Sequence, residues 1–252
     1  MNKKPFILLS SLFLLSGCAT YNEITEPKQV REKMQQIEAS QEGFSLKNVT
    51  LTSNIKIGNN KTSTEARTET IISIDNKYVS TTLYMKADND GQVTEATTKA
   101  HSYIKDNYYY LATETTSKDQ TQRIYAQSEI DPNKIDTIFD ELELDIDEIE
   151  KSITGSDYLA TFKASLLLDK IPEGMKFYTT GEGSLKISYE KETTDSKLIT
   201  EVEFVNNFIS STYTKTEKTN KDGDISVTEA SINISLSSNV TYPDLSTYTL
   251  VA

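Results

Sequence analysis

Two side chains here carry chemistry that nothing else in the chain duplicates: the single thiol of Cys18 and the single imidazole of His101. A lone thiol forms no structural disulfide within its own chain, which leaves Cys18 as an attachment point. His101 lies in an alternating stretch, in phase with Val93, Glu95, Thr97, Lys99 and Tyr103. A catalytic imidazole needs a nucleophile or an orienting carboxylate beside it, and no neighbour in sequence supplies one, so a surface strand histidine is expected. Asp88-Asn89-Asp90-Gly91 holds part of the spacing of a calcium loop. Lys86 stands two residues before it and Ala96 five residues after Gly91, so no closing carboxylate follows. A hairpin turn is the expectation there, and no metal site. The dense acids Asp136, Asp140, Glu141, Glu143, Asp145, Asp147, Glu148 and Glu150 fall mostly opposite an isoleucine stripe, as on the solvated face of a helix. Tyr108-Tyr109-Tyr110, with Tyr103 and Tyr125, suits sheet packing, a cavity wall or a partner surface. Alternation sends Tyr108 and Tyr110 one way and Tyr109 the other. No Gly-rich phosphate loop, nucleophile elbow, His-x-x-Glu pair or Cys-x-x-Cys is present, so no enzyme and no cofactor are expected.

Cys18 is placed by what precedes it. Lys3 and Lys4 give a positive start, Phe6 to Leu15 an apolar run, and Leu15-Ser16-Gly17-Cys18 a small-residue close, the three parts of an export signal. Ten residues of helix cover about 15 Å, roughly half of the bilayer's hydrocarbon core, so the run is too short for a permanent span. Leu-Ser-Gly-Cys resembles the bacterial lipobox at all four positions. That resemblance implies diacylglyceryl transfer to the Cys18 sulfur and cleavage between Gly17 and Cys18. Two acyl chains at about 0.8 kcal/mol per buried CH₂ anchor a protein stably, with no basic patch required. The expected organisation is a signal peptide at 1–17, a lipidated tether at 18–26 and a single domain at 27–252. The chain would sit on the extracytoplasmic side of a cell membrane, with the membrane itself as its first partner.

Charge agrees with export. The chain has 26 basic and 38 acidic side chains, a net charge of −12. Residues 1–17 contain Lys3 and Lys4 and no acid, so the mature form keeps 24 basic against 38 acidic groups, a net −14. Such a surface repels phosphate, which excludes nucleic acid as a partner, and it does not lie flat on anionic headgroups.

The positioning elements follow from periodicity. Thr25-Glu26-Pro27 starts a helix, and Val30, Met34 and Ile37 form one apolar stripe over Pro27–Ser40. Strands are expected next: Val49, Leu51, Ile55 and Ile57 share one face, and Thr50, Thr52, Asn54 and Lys56 the other. Further runs at Thr68–Ile74, Tyr78–Lys86, Val93–Ile104, Tyr108–Thr115 and Arg123–Gln127 are separated by Asp, Asn and Gly turns, which reads as an antiparallel meander. Asp131-Pro132 then opens a second helix carrying Ile135, Ile138, Phe139, Leu142, Ile146, Ile149 and Ile153. Tyr158–Asp169 suits either a third helix or a strand. Strands return at Lys176–Thr180, Ser184–Glu190, Leu198–Val205, Ser210–Glu217 and Ile225–Ser237. The expected class is α+β: one large curved antiparallel sheet, an incomplete barrel, covered on its concave face by two or three helices.

The Pro27–Ser40 helix, the repeated strand-turn units, Gly183-Ser184-Leu185-Lys186-Ile187, Leu198-Ile199 and Asn239-Val240-Thr241-Tyr242-Pro243 together resemble a half-barrel superfamily. Its members include LolA, LolB and the mycobacterial LprG and LppX lipoproteins, and lipoproteins of that shape in Gram-positive bacteria are more similar still. The resemblance implies a concave side that binds acyl chains or other hydrophobic molecules. Val30, Met34, Ile37, Leu83, Met85, Ile138, Leu142 and Ile146 would line it, or would equally make a plain core. Two functions follow: a non-enzymatic lipid-binding lipoprotein, or an envelope interaction or scaffold protein with a filled core.

Overall fold

Thr, Ile, Val and Tyr in alternation favour a pleated, half-buried surface, and strands form almost wherever they alternate. The computed structural model describes residues 21–39, 48–59, 61–118, 120–131, 171, 173–181, 183–205 and 208–251. Strand β1 (Asn22–Ile24) and helix α1 (Pro27–Ala39) come first. A first meander follows: β2 (Asn48–Gly58), β3 (Thr62–Ser73), β4 (Tyr78–Asn89), β5 (Gln92–Lys105), β6 (Tyr108–Ser117) and β7 (Gln120–Glu129). The second meander is β8 (Met175–Thr179), β9 (Ser184–Glu192), β10 (Ser196–Val205), β11 (Phe208–Thr219) and β12 (Ile225–Ser235), and β13 (Thr249–Leu250) closes the order.

Turn chemistry sets the hairpin registers. Asp90-Gly91 and Asp106-Asn107 both take positive φ at their two central positions, the mirror-image turn whose twist matches the strands it joins. The Asp88 carboxylate accepts the Gly91 N–H at 2.9 Å, so the would-be calcium loop is the β4–β5 hairpin. In the β11–β12 turn the Asn220 side-chain oxygen accepts the N–H groups of Asp222 and Asp224 at 2.9 and 2.8 Å.

All the described strands join one 13-stranded sheet in the order β1-β8-β9-β10-β11-β12-β2-β3-β4-β5-β6-β7-β13. The first meander runs outward from β2 to one edge. The second runs inward from the opposite edge to β12, and the antiparallel β12–β2 pair joins them. Asn22–Ile24, within the segment expected as tether, pair with Thr179–Phe177 as the outermost strand.

The expected α+β class is overturned. The described residues are mostly β, with a single α-helix and no two- or three-helix layer over the sheet. The reason lies partly in size: the 13 residues of α1 span about 20 Å, which covers about four strands at 4.8 Å spacing and not thirteen. The helices expected from Asp131 onward, and the ambiguous Tyr158–Asp169, lie outside the described residues.

One glycine is required by space as well as by conformation. Gly174 has φ +81, and a Cβ there would sit 2.2 Å from the Glu190 carbonyl oxygen, while Gly91 has φ +85 and open space. Gly174→Ala should therefore destabilise the β8–β9 hairpin by about 2–4 kcal/mol, and Gly91→Ala by about 1–2 kcal/mol. Denaturant midpoints at constant slope would separate the two costs.

Candidate functional site

Residues directly opposite in an antiparallel pair point to the same side of the sheet, so the registers assign every strand side chain to a face. The two faces separate chemically. One face carries most of the charges, paired across strands or along one: Lys86–Glu95 at 3.0 Å, Lys186–Glu201 at 2.9 Å, and Lys215 between Glu217 of its own strand at 2.8 Å and Glu229 at 3.5 Å. Arg67–Glu65 and Arg123–Glu114 continue the pattern. The other face is nearly free of charge, with Lys191 and Lys218 on it in the second meander. From β2 to β7 it holds no charged side chain, only Val, Ile, Leu, Met, Ala, Tyr, Ser, Thr, Asn and Gln.

Among the described residues, cover on the neutral face is concentrated at one end. There α1 lays Val30, Met34 and Ile37 against Ile24 of β1, Met175 and Phe177 of β8, and Leu185 and Ile187 of β9. Val30, Met34 and Ile37 are 3%, 6% and 2% exposed. These three candidate ligand residues are core.

Toward the middle of the sheet the same face opens. Val49 and Ile72 are buried, but Ile55 is 47%, Ile57 54%, Met85 47% and Leu111 46% exposed. Leu83 is half-buried beside them, opposite Thr68 and Thr98. Leu83 and Met85 thus lie on one open apolar surface with Ile55, which sits opposite Ala66, the partner of Met85. Ile138, Leu142, Ile146, Gly17 and Cys18 lie outside the described residues.

On the charged face a cluster forms that no local pattern announces. Residues 236–248 cross it as a strap. Thr50 donates to the Ser237 carbonyl at 2.8 Å, Tyr78 reaches the Thr241 carbonyl at 2.8 Å, and Val251 donates to the Tyr125 carbonyl at 2.8 Å. The Tyr242 ring meets Tyr78 and Tyr103 edge-on at 5.4 and 5.1 Å, and Tyr103 stacks on Tyr110 at 4.9 Å. Tyr109 points to the other face, its hydroxyl 2.7 Å from Ser102 Oγ, as alternation requires.

His101 lies beneath this strap and is 3% exposed, so the expected surface histidine is a core residue. The long-range contact with residue 241 is what buries it. Its Nδ1 is 2.8 Å from the Tyr78 hydroxyl, which also bonds the Thr241 carbonyl. One hydroxyl has one proton to give. Both bonds hold when His101 Nδ1–H donates to Tyr78 and Tyr78 donates to Thr241, which assigns the tautomer. Burial, then the nearby Lys99 charge, pushes the imidazole down to about 4, against a weaker opposing pull from Glu114. Burial pushes the Tyr103 phenol up to about 12. The imidazole thus ties β5 to β4 and, through Tyr78, to the strap.

A cleft of about 960 Å³ lies elsewhere, at the β6–β7 tip, lined by Thr115, Ser117, Lys118, Gln120, Thr121 and Gln122. Its described lining residues carry hydroxyls, amides and an ammonium, and Thr115, Ser117, Gln120 and Gln122 continue the rows of Leu83 and Met85 on the neutral face. Among the described residues no three His, Cys, Asp or Glu side chains gather in a metal-holding group.

The histidine makes stability depend on pH. Unfolded His101 takes up its proton near pH 6.5 and folded His101 near pH 4, so the unfolded state binds more protons in between. Stability should fall from pH 6.5 to pH 4 by an amount on the order of 3 kcal/mol from this group. His101→Gln should flatten that part of the curve, read as unfolding free energy against pH. Tyr78→Phe should cost about 1–3 kcal/mol at pH 7, because it strands a buried N–H and a carbonyl. No protein-family model matches the chain, and no curated protein is similar to it in sequence.

Proposed function

We propose that the chain is a lipoprotein, anchored through Cys18 on the extracytoplasmic side of a cell membrane, that binds a lipid or another hydrophobic ligand without catalysis. The observation that carries this reading is the neutral face: Ile55, Ile57, Met85 and Leu111, each about half exposed, on a surface without charge from β2 to β7. Covering the exposed halves of four such side chains contributes about 3–6 kcal/mol. That alone corresponds to a Kd no tighter than about 0.04 mM. A tightly held ligand must also reach Leu51, Leu83 and Ile232 on the same face.

The anchor adds position. Three residues separate Cys18 from Asn22, so four Cα–Cα steps span at most about 14 Å of extended chain. A lipid on Cys18 would hold the β1–α1 end close to the bilayer, with the open apolar surface on the same sheet face as α1.

Two measurements test the proposal. A soluble form beginning after Cys18, purified from a bacterial host, should show near-stoichiometric lipid by native mass spectrometry with lipid extraction. Met85→Lys and Ile55→Lys should each lower lipid occupancy severalfold with little change in melting temperature, while Lys86→Met on the opposite face should not. A clean apo mass with no uptake of added lipid would overturn the ligand reading and favour an envelope interaction protein. Separately, Cys18→Ser in the full chain should abolish incorporation of labelled palmitate and shift the protein out of the membrane fraction.

A further inference from the structure

We propose that the outer edge of β7 accepts an extended, uncharged polar segment of another polypeptide as an added strand. The edge is separate from the exposed apolar side chains, although Thr115, Ser117, Gln120 and Gln122 beside it share their sheet face. The two ends of the sheet are finished unequally. Strand β8 has five residues, and β1 covers three of them. Strand β7 has ten, and β13 covers Ile124 and Tyr125 alone.

Exposure follows that pairing: β7 is half-buried at Ile124–Ala126 and exposed at Gln120–Arg123 and Gln127–Glu129. The Tyr125 carbonyl points outward, since it accepts from Val251. Alternation then turns the backbone N–H and C=O of Thr121 and Arg123 outward too; the Thr249↔Ile124 pairing engages the Arg123 carbonyl, and among the described residues Thr121 has no strand partner on that side. Unpaired edge groups of this kind are a template for strand addition, and β7 contains no proline or bulge to blunt it.

The chain itself demonstrates the mode of docking. Its C-terminal segment already pairs with this edge in parallel, at Thr249 and Leu250. The polar cleft of about 960 Å³ opens beside the unpaired half, at Gln120, Thr121 and Gln122, a size within the range of about 300–1,000 Å³ typical of ligand sites. Among the described residues, five that line it carry neutral hydroxyls or amides, and Lys118 carries a charge. Hydroxyls and amides on that wall can hydrogen-bond the side chains of a neutral polar strand.

The test uses the full chain in detergent micelles and a blocked, fluorescent hexapeptide of sequence Thr-Gln-Thr-Val-Thr-Gln. Anisotropy should show saturable binding, and hydrogen exchange should slow at Thr121 and Arg123. A probe N-methylated at alternate residues should lose binding. Thr121→Pro removes the outward donor without touching the β6 ladder and should weaken binding about tenfold, while Thr121→Ala, which keeps the donor, should not. Absence of saturable binding to millimolar probe overturns the proposal, as does equal binding of the N-methylated probe. Protection of Thr121 that appears without probe and grows with protein concentration also overturns it, and assigns the edge to a second copy of the chain.

Discussion

The antiparallel pairing of β2 with β12, nine residue pairs from Thr50↔Ser235 to Gly58↔Val227, is the joint on which this sheet depends. Every other pair inside the two meanders is a hairpin between neighbours in sequence. This one brings together residues from near the two ends of the chain, and without it the meanders would be separate sheets of six and five strands. Loop-closure entropy grows only slowly with length, so the cost in stability is modest, but such non-local pairing is slow to find. The register at the joint also decides the chemistry of both surfaces. Ile55 faces Ala230, Leu51 faces Ile234 and Lys56 faces Glu229, so the neutral and charged faces of the two halves coincide. A slip of one residue would put half of each face on the wrong side.

With the faces aligned, the remaining elements fall into place at opposite corners. Helix α1 covers the neutral face over β1, β8 and β9, and the strap at 236–248 covers the charged face from β2 toward β7. Each then feeds or follows a short edge strand, β1 or β13. The strap is polar where it meets the sheet, through Thr50, Tyr78 and Tyr242, because the face beneath is polar. The helix is apolar where it meets the sheet for the converse reason. What is left over is an open neutral surface around Ile55 and Met85 and an open strand edge at Thr121. These are two binding opportunities of different physics: the first rewards apolar area in any orientation, and the second rewards backbone hydrogen bonds in one direction.

Much of this was legible in the residues. The helix at Pro27, the order of the strands and most hairpin turns follow from local periodicity and from Asp, Asn and Gly, because strand alternation and turn sterics act between neighbours. The split between Val49/Leu51/Ile55/Ile57 and Thr50/Thr52/Asn54/Lys56 was equally readable and is the seed of the two-faced sheet. The sequence determined what each surface is made of.

Tertiary structure decided where each surface goes. Val30, Met34 and Ile37 were known to be apolar, but their burial against Phe177 and Leu185 depends on a strand some 140 residues away. Met85, with the same hydrophobic character, stays exposed because α1 ends at the far side of the sheet. His101 read as a surface residue, since nothing nearby marked it for burial; a strap closing from residue 241 removed it from water and lowered its basicity. The expectation of several covering helices failed for a related reason. Periodicity reports that a segment has an apolar side, and only the three-dimensional arrangement of the whole chain determines what that side meets.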